Sequence, residues 1–530
     1  MPVVCRTRAT NRESVAATGV TLLWCDWLSG NEMCGRNAHV PRGGQRSSGS
    51  MAARIRPPGI VIVVVKWAHP THSSATTSQP LAEFMMGPTH SPQPLLSEPW
   101  AGRDLYLGLS GGGFRATAHH LGVLLAYLRN DIHHRLLIVN GVSGGAIASG
   151  HLGSWRVGWE DAGRVVGLDA LRAFASPLID LMKTDLRTRV ICGAPLQQAK
   201  RWVDASREST MEAQLNRRLF RGLPLHKVMY PPLFVFTSSD LHSGQPFYLT
   251  PAGLGIRPHR IMERCNWTGS PSAARTSLAR AVSASAAFPL LFTPIAAEID
   301  GWEADDYVTA ISSLFGRRWS RSGPLVLSLT DGGVADNRAQ TFLASWLTGS
   351  AAIGGVRHDT PIRHAFCYDA GLEPSLRLKR VRFRVHANLV AANLLNKRSD
   401  DLNSWVLHTL SGPAQMELGV YRAAEELDVE LGLDGSILRQ LMRIRTDLNA
   451  LSDTEIYVLA YAGYRLASWS LSHHQKLIPE ALVKATRDEF DAIIEGKLDP
   501  LPQECWAGHL AHSNSRLALK RASYRAIRRK

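Results

Sequence analysis

One serine of this sequence lies where a nucleophile could act. Ser143 is the central residue of Gly141-Val-Ser-Gly-Gly145, which follows the aliphatic run Leu136-Leu-Ile-Val139 and precedes a helical pattern that starts at Ala146. The glycines at both ends, Gly141 and Gly145, allow the sharp strand-to-helix turn that exposes a serine hydroxyl and lets a substrate carbonyl approach. The helix adds N–H groups and the positive end of its dipole. The pattern therefore predicts Ser143 as the nucleophile of an acyl transfer.

Three consecutive glycines lie one helix and one strand earlier in the chain. Gly111, Gly112 and Gly113 follow the apolar run Leu105–Leu109 and precede a helical pattern. Successive N–H groups in such a loop can point at one spot and form the anion-binding nest that an oxyanion hole needs. A dinucleotide fingerprint over Gly111, Gly113 and Ala116 is an alternative, but no strand ending in an acidic residue follows about 20 residues on. A plain tight turn is the other alternative.

A carboxylate follows a later apolar run. Asp331 comes directly after Leu325–Thr330 and is followed by Gly332 and Gly333, which let the chain turn away sharply. At the carboxyl end of a buried strand, this side chain would face the same crevice as the two glycine loops. Asp331 is therefore a candidate general base, and a turn aspartate is the alternative.

A serine nucleophile with an aspartate also raises the possibility of a Ser-His-Asp triad. His364, His386 and His408 all follow Asp331, in the order Ser, Asp, His of the α/β-hydrolases. The oxyanion motif of that fold normally begins with His, and Ser110 stands in its place here. The triad therefore stays an alternative, with His364 as its first candidate.

Short apolar runs alternate with helical patterns from Asp104 to about Leu376, which is typical of a mostly parallel sheet covered on both faces. The sequence therefore predicts an α/β fold with three layers, α/β/α, and a C-terminal helical segment. The predicted strands are Leu105–Leu109, Leu136–Val139, Leu233–Thr237, Leu325–Thr330 and His364–Tyr368. The strands are predicted to stop after Leu376, and helices are predicted over Ser404–Leu410, Ala414–Leu431, Ile437–Leu448 and Thr454–Ser470.

Length and composition indicate how the chain is organised. Its 530 residues, 45% hydrophobic and 20% charged, can form one large globular domain with extensions. Residues 1–100 mix Arg, Ser, Thr, Gly and Pro without a helical or strand period, and are interpreted as a disordered extension. We predict a catalytic domain over 101–375, a helical segment over 376–512 and a basic tail over 513–530.

Charge and cysteine content bear on partners and compartment. The formal net charge of +15 attracts polyanions, either nucleic acid or anionic lipid. The chain carries no RNA-binding aromatic motif, zinc finger or basic helix followed by heptads, so no specific nucleic acid is expected. Seven cysteines without a CxxC pair indicate a reducing compartment, and cytoplasmic residence with peripheral membrane binding is expected. No apolar stretch reaches the ~20 residues of a transmembrane helix. No metal or cofactor is expected.

Three blocks of the sequence resemble, in this order, the signature of the patatin-like phospholipase family: Ser110-Gly-Gly-Gly-Phe-Arg115, Gly141-Val-Ser-Gly-Gly145 and Asp331-Gly-Gly333. The likeness covers about 104–371, roughly half of the chain. Ser110 stands where the family often has Asp, and Ala116 where many members have Gly. The resemblance implies a patatin-like fold and a Ser-Asp dyad without a catalytic histidine.

The chemistry that the resemblance implies is hydrolysis of a lipid ester through an acyl-enzyme on Ser143. Asp331 would accept the serine proton directly, in a cleft desolvated enough to raise its pKa. The N–H groups of the Gly111–Gly113 loop and of Gly144 would hold the oxyanion. Arg115 would fix that loop, attract a lipid phosphate or lie on a helix surface. A catalytically silent lipid- or nucleic-acid-binding protein on a hydrolase scaffold is the non-enzymatic alternative, and the three intact blocks stand against it.

A membrane surface is the expected place of action. A helix predicted to begin at Ser176 carries Leu178 and Met182 on one side and Lys183 and Arg187 on another. Such a helix could lie on an anionic lipid surface, or it could pack in the core with its cations in water.

Overall fold

In the computed structural model of this protein, the described residues form one nine-stranded sheet with helices packed against it. The residues described are 100, 102–155, 166–190, 210–228, 231–263, 270–289, 292–352, 362–370, 401–402, 404, 407, 415–419, 432–473, 477–478 and 486–515. The predicted extension over 1–100 and basic tail over 513–530 therefore lie almost wholly outside the described residues.

The strands predicted from the sequence are all present, and most run further than predicted. The strands are β1 (Leu105–Leu109), β2 (Leu136–Val142), β3 (Leu233–Asp240), β4 (Pro246–Thr250), β5 (Gly253–Gly255), β6 (Ile295–Ile299), β7 (Leu325–Asp331), β8 (His364–Asp369) and β9 (Gln415–Gly419). β3-β2-β1-β8-β9 pair in parallel, whereas β4, β5, β6 and β7 pair antiparallel at the β3 side. The prediction of a mostly parallel central sheet is confirmed.

Helices pack against the sheet and connect its strands. The helices are α1 (Gly113–Arg129), α2 (Gly144–Ser154), α3 (Leu168–Met182), α4 (Thr210–Leu215), α5 (Pro258–Glu263), α6 (Pro271–Arg275), α7 (Leu278–Ser285), α8 (Gly301–Phe315), α9 (Thr341–Ala352), α10 (Gly435–Leu441), α11 (Asp453–His473), α12 (Arg487–Ile494) and α13 (Trp506–Ser515). None of these described helices combines the length and apolar composition needed to cross a bilayer.

Two hydrophobic clusters lie on opposite faces of the sheet, because side chains alternate along a strand. In β1, Leu105 and Leu107 belong to one cluster, with residues of α1, α2 and α11. Tyr106 belongs to the other, with Phe342 and Trp346 of α9. Fully burying one such side chain contributes about 1.5–3 kcal/mol, so both faces hold the strands in place. The predicted α/β/α layering is confirmed.

The helix predicted from Ser176 belongs to the core. α3 begins earlier, at Leu168, and carries Pro177 within it. Leu178 and Met182 are fully buried. The alternative that this helix lies on a lipid surface is therefore wrong, because its apolar side already packs inside the protein.

The prediction that strands stop after Leu376 is also wrong. Gln415–Gly419 lies inside the helix predicted over Ala414–Leu431, yet it forms β9 and pairs in parallel with β8. Met, Glu and Leu favour helices when a segment is judged alone. Pairing with the otherwise open edge of β8 overrides this local preference, as tertiary context commonly does.

The C-terminal helices pack directly on the sheet's covering layer. α11 confirms the helix predicted over Thr454–Ser470, and it crosses α1 at two glycines. A Cβ on Gly122 would lie 1.8 Å from the Ala460 oxygen, and a Cβ on Gly463 would lie 2.0 Å from the His119 oxygen. The helix predicted over Ile437–Leu448 is shorter, since α10 ends at Leu441 and the chain then turns.

Candidate active site

The candidate site lies where the ends of β2 and β7 meet along β3. β2 and β7 lie on the same side of β3, because β4 occupies the other side. Val142, the last residue of β2, pairs with Thr237 in parallel. Asp331, the last residue of β7, pairs antiparallel with Ser238. The two strands therefore run toward each other and end at adjacent positions, so that the residue after Val142 meets Asp331. The sequence-based picture of a common carboxyl edge was wrong for β7, which runs in the opposite direction.

Ser143 occupies the turn between β2 and α2 in a strained backbone conformation. Its φ is 51° and its ψ is −113°, a region that residues with a Cβ rarely adopt. Its N–H donates to Ser285 Oγ at 2.9 Å, and that hydroxyl donates to the Thr237 carbonyl at 2.5 Å. These bonds hold the turn from α7 and β3. Ser143 is largely buried, with 8% of its surface exposed.

The flanking glycines are required by close approach. A Cβ on Gly145 would lie 2.2 Å from the Leu109 oxygen, and one on Gly141 would lie 2.2 Å from Ser149 Oγ. Both distances are far shorter than any real contact. The turn can therefore close only with glycine at these positions, which agrees with their prediction from the pentapeptide.

Asp331 is buried beside the serine. Its carboxylate accepts a hydrogen bond from the N–H of Gly333 at 2.8 Å. It is 4% exposed. Burial raises its pKa from 3.8 to about 6, against the lowering effects of the Ser143 side chain and the Gly333 N–H. The carboxylate is thus a much stronger base than an exposed one, and it lies beside the serine that would lose the proton.

Gly332 allows this approach. A Cβ on Gly332 would lie 2.0 Å from the Thr237 oxygen and 3.1 Å from Val142 Cγ1. The chain after Asp331 therefore passes directly over β3 and the end of β2. Any larger residue would push the carboxylate away from the serine.

The glycine loop between β1 and α1 lies against the serine turn. A Cβ on Gly144 would lie 2.1 Å from the Gly113 oxygen, so the two turns are in direct backbone contact. Gly112 and Gly113 have positive φ values of 136° and 57°. Within the described part of the chain, neither of their N–H groups donates to a protein acceptor. These amides, at the N-terminus of α1, are therefore available to an acceptor outside the described part of the chain.

Gly111 has a different role from the one predicted. Its N–H donates to the Asn337 carbonyl at 2.9 Å, so it is not available to an oxyanion. A Cβ here would lie 2.4 Å from Asn337 Oδ1 and 3.4 Å from the Ser143 Cβ. Gly111 therefore lets the loop pass between the Asp331 turn and the serine, and the prediction of Gly111 as a donor is corrected.

Arg115 fixes the loop from inside the protein. It is 2% exposed, and its guanidinium donates to the carbonyls of Met442 at 2.8 Å and Ile444 at 3.2 Å. Burial lowers its pKa to about 10. The expectation that it fixes the loop agrees with this placement, whereas attraction of a lipid phosphate does not, because the side chain does not reach the surface.

The C-terminal chain supplies a support that the sequence patterns did not indicate. The N–H of Phe114 donates to the Asp447 carbonyl at 3.2 Å. A Cβ on Gly113 would lie 2.1 Å from the Thr446 oxygen. The turn at 442–447 therefore covers the outer side of the glycine loop.

The geometry does not favour a histidine triad. His364 begins β8 opposite Leu105, at the start of β1, whereas the candidate site lies beyond the other end of that strand. Four residue steps along β1 span about 13 Å. His386 and His408 lie outside the described residues. His120 is buried with its Nε2 at 3.0 Å from the Ser110 carbonyl, and burial lowers its pKa to about 4, so it is a neutral structural donor.

Comparison with known proteins finds a family match over part of the chain and several similar solved structures. Residues 107–344 match the family described as patatin-like phospholipase. No curated protein matches the chain. Among solved structures, the chain is similar to human GIVD cytosolic phospholipase A2 in complex with methyl γ-linolenyl fluorophosphonate (11% identity, 75% of this chain, 61% of that chain, TM-score 0.38). It is also similar to VipD from Legionella pneumophila (12% identity, 70% of this chain, 67% of that chain, TM-score 0.28). The match thus spans about three fifths of the human protein's length. The chain contains a patatin-like phospholipase domain over residues 107–344.

Proposed function

We propose that the protein is a lipid acyl hydrolase that cleaves ester bonds through an acyl-enzyme on Ser143, with Asp331 as the general base. One observation carries the proposal: the pairing of β2 and β7 along β3 sets Ser143 beside Asp331, a buried carboxylate whose pKa is raised to about 6. A lipid ester is proposed as the substrate because residues 107–344 match the patatin-like phospholipase family.

In the first half of the reaction, Asp331 takes the proton from Ser143 Oγ as that oxygen bonds to the ester carbonyl carbon. The carbonyl π electrons move to its oxygen, and the amides of Gly112 and Gly113 stabilise the negative charge. Collapse of this intermediate breaks the bond to the leaving alcohol, which takes the proton from Asp331. Removing one donor of this kind typically costs about 100- to 1,000-fold in rate.

In the second half, a water molecule gives its proton to Asp331 and attacks the acyl-enzyme carbonyl. The tetrahedral intermediate uses the same two amides. Its collapse releases the fatty acid, and Ser143 Oγ recovers its proton from Asp331. The one carboxylate thus acts as base and acid in each half, and no histidine is needed.

The raised pKa explains how a carboxylate can do this work. A base with a pKa about two units above that of an exposed aspartate holds a proton about 100-fold more strongly. At pH 7 it is still about nine-tenths ionised, and therefore able to accept the proton. Burial of Asp331 therefore makes it a stronger base and still leaves it mostly ionised at pH 7.

A fluorophosphonate probe, which reacts with activated serines, tests the proposal in the full chain. We expect Ser143→Ala to abolish labelling and Asp331→Asn to reduce ester turnover at least 1,000-fold. His364→Ala is the matched control and is expected to label and turn over like the wild type. Unchanged labelling of the Ser143 variant would refute the assignment of Ser143 as the nucleophile. Loss of turnover in the His364 variant, with Asp331→Asn active, would favour a triad instead.

A further inference from the structure

An exposed apolar and basic loop lies at the end of α8. All residues from 313 to 320 are exposed, and this loop contains Leu314 and Phe315, each 51% exposed, and Trp319, 54% exposed. Between the aromatic residues lie Arg317 and Arg318. Large apolar side chains are normally the most buried ones, so a group of three on one short loop is unusual.

Other exposed apolar side chains extend this surface. Val326, near the start of β7, is 58% exposed, and Leu241 is 53% exposed. Leu241 lies beside β7, since its N–H donates to the Ser328 carbonyl at 3.0 Å. An open groove of about 690 Å³ runs between these parts and is lined by residues that include Phe315, Trp319 and Val326. We call Leu241, Leu314, Phe315, Trp319 and Val326, with Arg317 and Arg318, the apolar-basic surface.

The backbone holds this loop in one conformation. Gly316 ends α8 with a φ of 62°, which suits a glycine C-cap. The N–H of Arg317 donates to the Ser312 carbonyl at 3.1 Å, and the N–H of Trp319 donates to Ser312 Oγ at 3.0 Å. The apolar side chains are thus presented outward by an ordered turn. Each of these side chains leaves apolar area in water that burial at an interface would remove from water.

The charge of the surface indicates what it meets. Within the described residues, Arg317 and Arg318 have no acidic partner. Arg321 is already held by Asp305 at 2.8 Å and by Asp300 at 3.5 Å. The exposed carboxylate of the opposing strand is Glu298, which pairs with Val326 across β6 and β7. Two free guanidinium groups therefore remain among the apolar side chains, against one carboxylate at the margin.

We infer that the apolar-basic surface docks on an anionic lipid bilayer. Leu314, Phe315 and Trp319 enter the boundary between head groups and acyl chains, and Arg317 and Arg318 bind lipid phosphates. Tryptophan and arginine suit this boundary because each joins an apolar body to a polar group. A protein partner would need complementary acids, whereas a bilayer offers negative charge and hydrocarbon at neighbouring depths.

This inference rests on the proposed function for its purpose, because an enzyme that hydrolyses bilayer lipids must reach them. β7 connects the two parts: it begins at Leu325 beside the surface and ends at Asp331. Its seven residues span about 20 Å. The docking surface and the candidate base therefore lie at opposite ends of one strand, and docking is open to measurement without turnover.

Vesicle sedimentation of the full chain tests the docking. The protein carries Ser143→Ala so that lipid is not consumed, and the vesicles are phosphatidylcholine with or without about one-third phosphatidylserine. We expect binding to the anionic vesicles and at least tenfold weaker binding for Phe315→Ser/Trp319→Ser. Arg317→Gln/Arg318→Gln should weaken binding by about fivefold for each charge removed, and less at high salt. Leu501→Ser, at a leucine that is 42% exposed elsewhere, is the matched control and should bind normally.

Two outcomes would overturn the docking. One is equal binding by the Phe315/Trp319 variant and the control. The other is a wild-type dimer in solution that this variant abolishes, which would assign the surface to a second copy of the chain. Turnover of a water-soluble short-chain ester separates docking from catalysis. With Ser143 restored, the docking variants should turn over the soluble ester like the wild type. If the proposed function is wrong, the wild type should not turn over that ester either.

Discussion

Replacing the buried carboxylate by its amide should stabilise the protein while it abolishes catalysis. The pKa of Asp331 is raised from 3.8 to about 6 because burial penalises its charged form. A shift of about two units corresponds to about 3 kcal/mol between the two protonation states. At pH 7, keeping this group ionised therefore lowers the free energy of unfolding by about 3 kcal/mol. Asp331→Asn removes that cost and keeps an oxygen that can accept from the Gly333 N–H.

The pH dependence fixes the sign of the effect. Since the folded state holds the proton more strongly than the unfolded state, the stability linked to Asp331 is fully present below pH 3.8. It is lost as the pH rises through about 6. The variant does not titrate. The free energy of unfolding of the variant should therefore gain about 2.4 kcal/mol on that of the wild type between pH 4 and pH 7, and the difference should stay constant above.

Paired thermal unfolding measures this advantage. The melting temperatures of wild type and Asp331→Asn are compared at the same buffer and scan rate, from pH 4 to pH 8, and the difference should increase by a few degrees. Asp180→Asn, at an exposed aspartate of α3, is the control and should show no such increase. A constant difference between wild type and Asp331→Asn across this range would refute the reasoning, as would an advantage that shrinks as the pH rises.

Two further predictions concern catalysis. The kcat/KM of the wild type for a soluble ester should follow one ionisation near pH 6, with about a tenth of the plateau value left at pH 5; a midpoint near pH 4 would show that the base is not a buried carboxylate. Gly144→Ala places a Cβ 2.1 Å from the Gly113 oxygen, which must displace the glycine loop from the serine. We expect kcat to fall at least 100-fold with the circular dichroism spectrum unchanged, and a near-wild-type kcat would contradict the assignment of the loop amides as oxyanion donors.

The parts of the fold predicted well are those in which local sequence and tertiary context agree. β1, β2 and β8 are short apolar runs buried on both faces, and the glycine turns after β1 and β2 are dictated by close approach. β9 was missed because Gln415–Gly419 has the composition of a helix, and only the open edge of β8 makes it a strand. A single sequence shows the segment but not the edge that it completes.

The candidate site shows the same division. The residue types at Ser143 and Asp331 are visible in the sequence because side-chain chemistry requires them. The direction of β7 is not visible, since a strand reads the same whether it pairs parallel or antiparallel. The prediction that Asp331 faces the serine had two grounds: a carboxyl edge shared by parallel strands, which is wrong, and the resemblance to a family. The pairing of both strand ends along β3 is what brings the two side chains together.

The sequence suggested that Arg115 fixes the glycine loop, but the acceptors that support the loop could not have been read from it. Arg115 and the Phe114 N–H donate to main-chain carbonyls of Met442, Ile444 and Asp447, and every residue type carries such a carbonyl. The arginine and its acceptor at Met442 are 327 positions apart. In the proposed mechanism, the loop's amides must be aimed to within a fraction of an ångström to hold an oxyanion, and the turn at 442–447 helps to fix them in place. We infer that the functional unit extends beyond residue 375, the predicted end of the catalytic domain, at least to this turn.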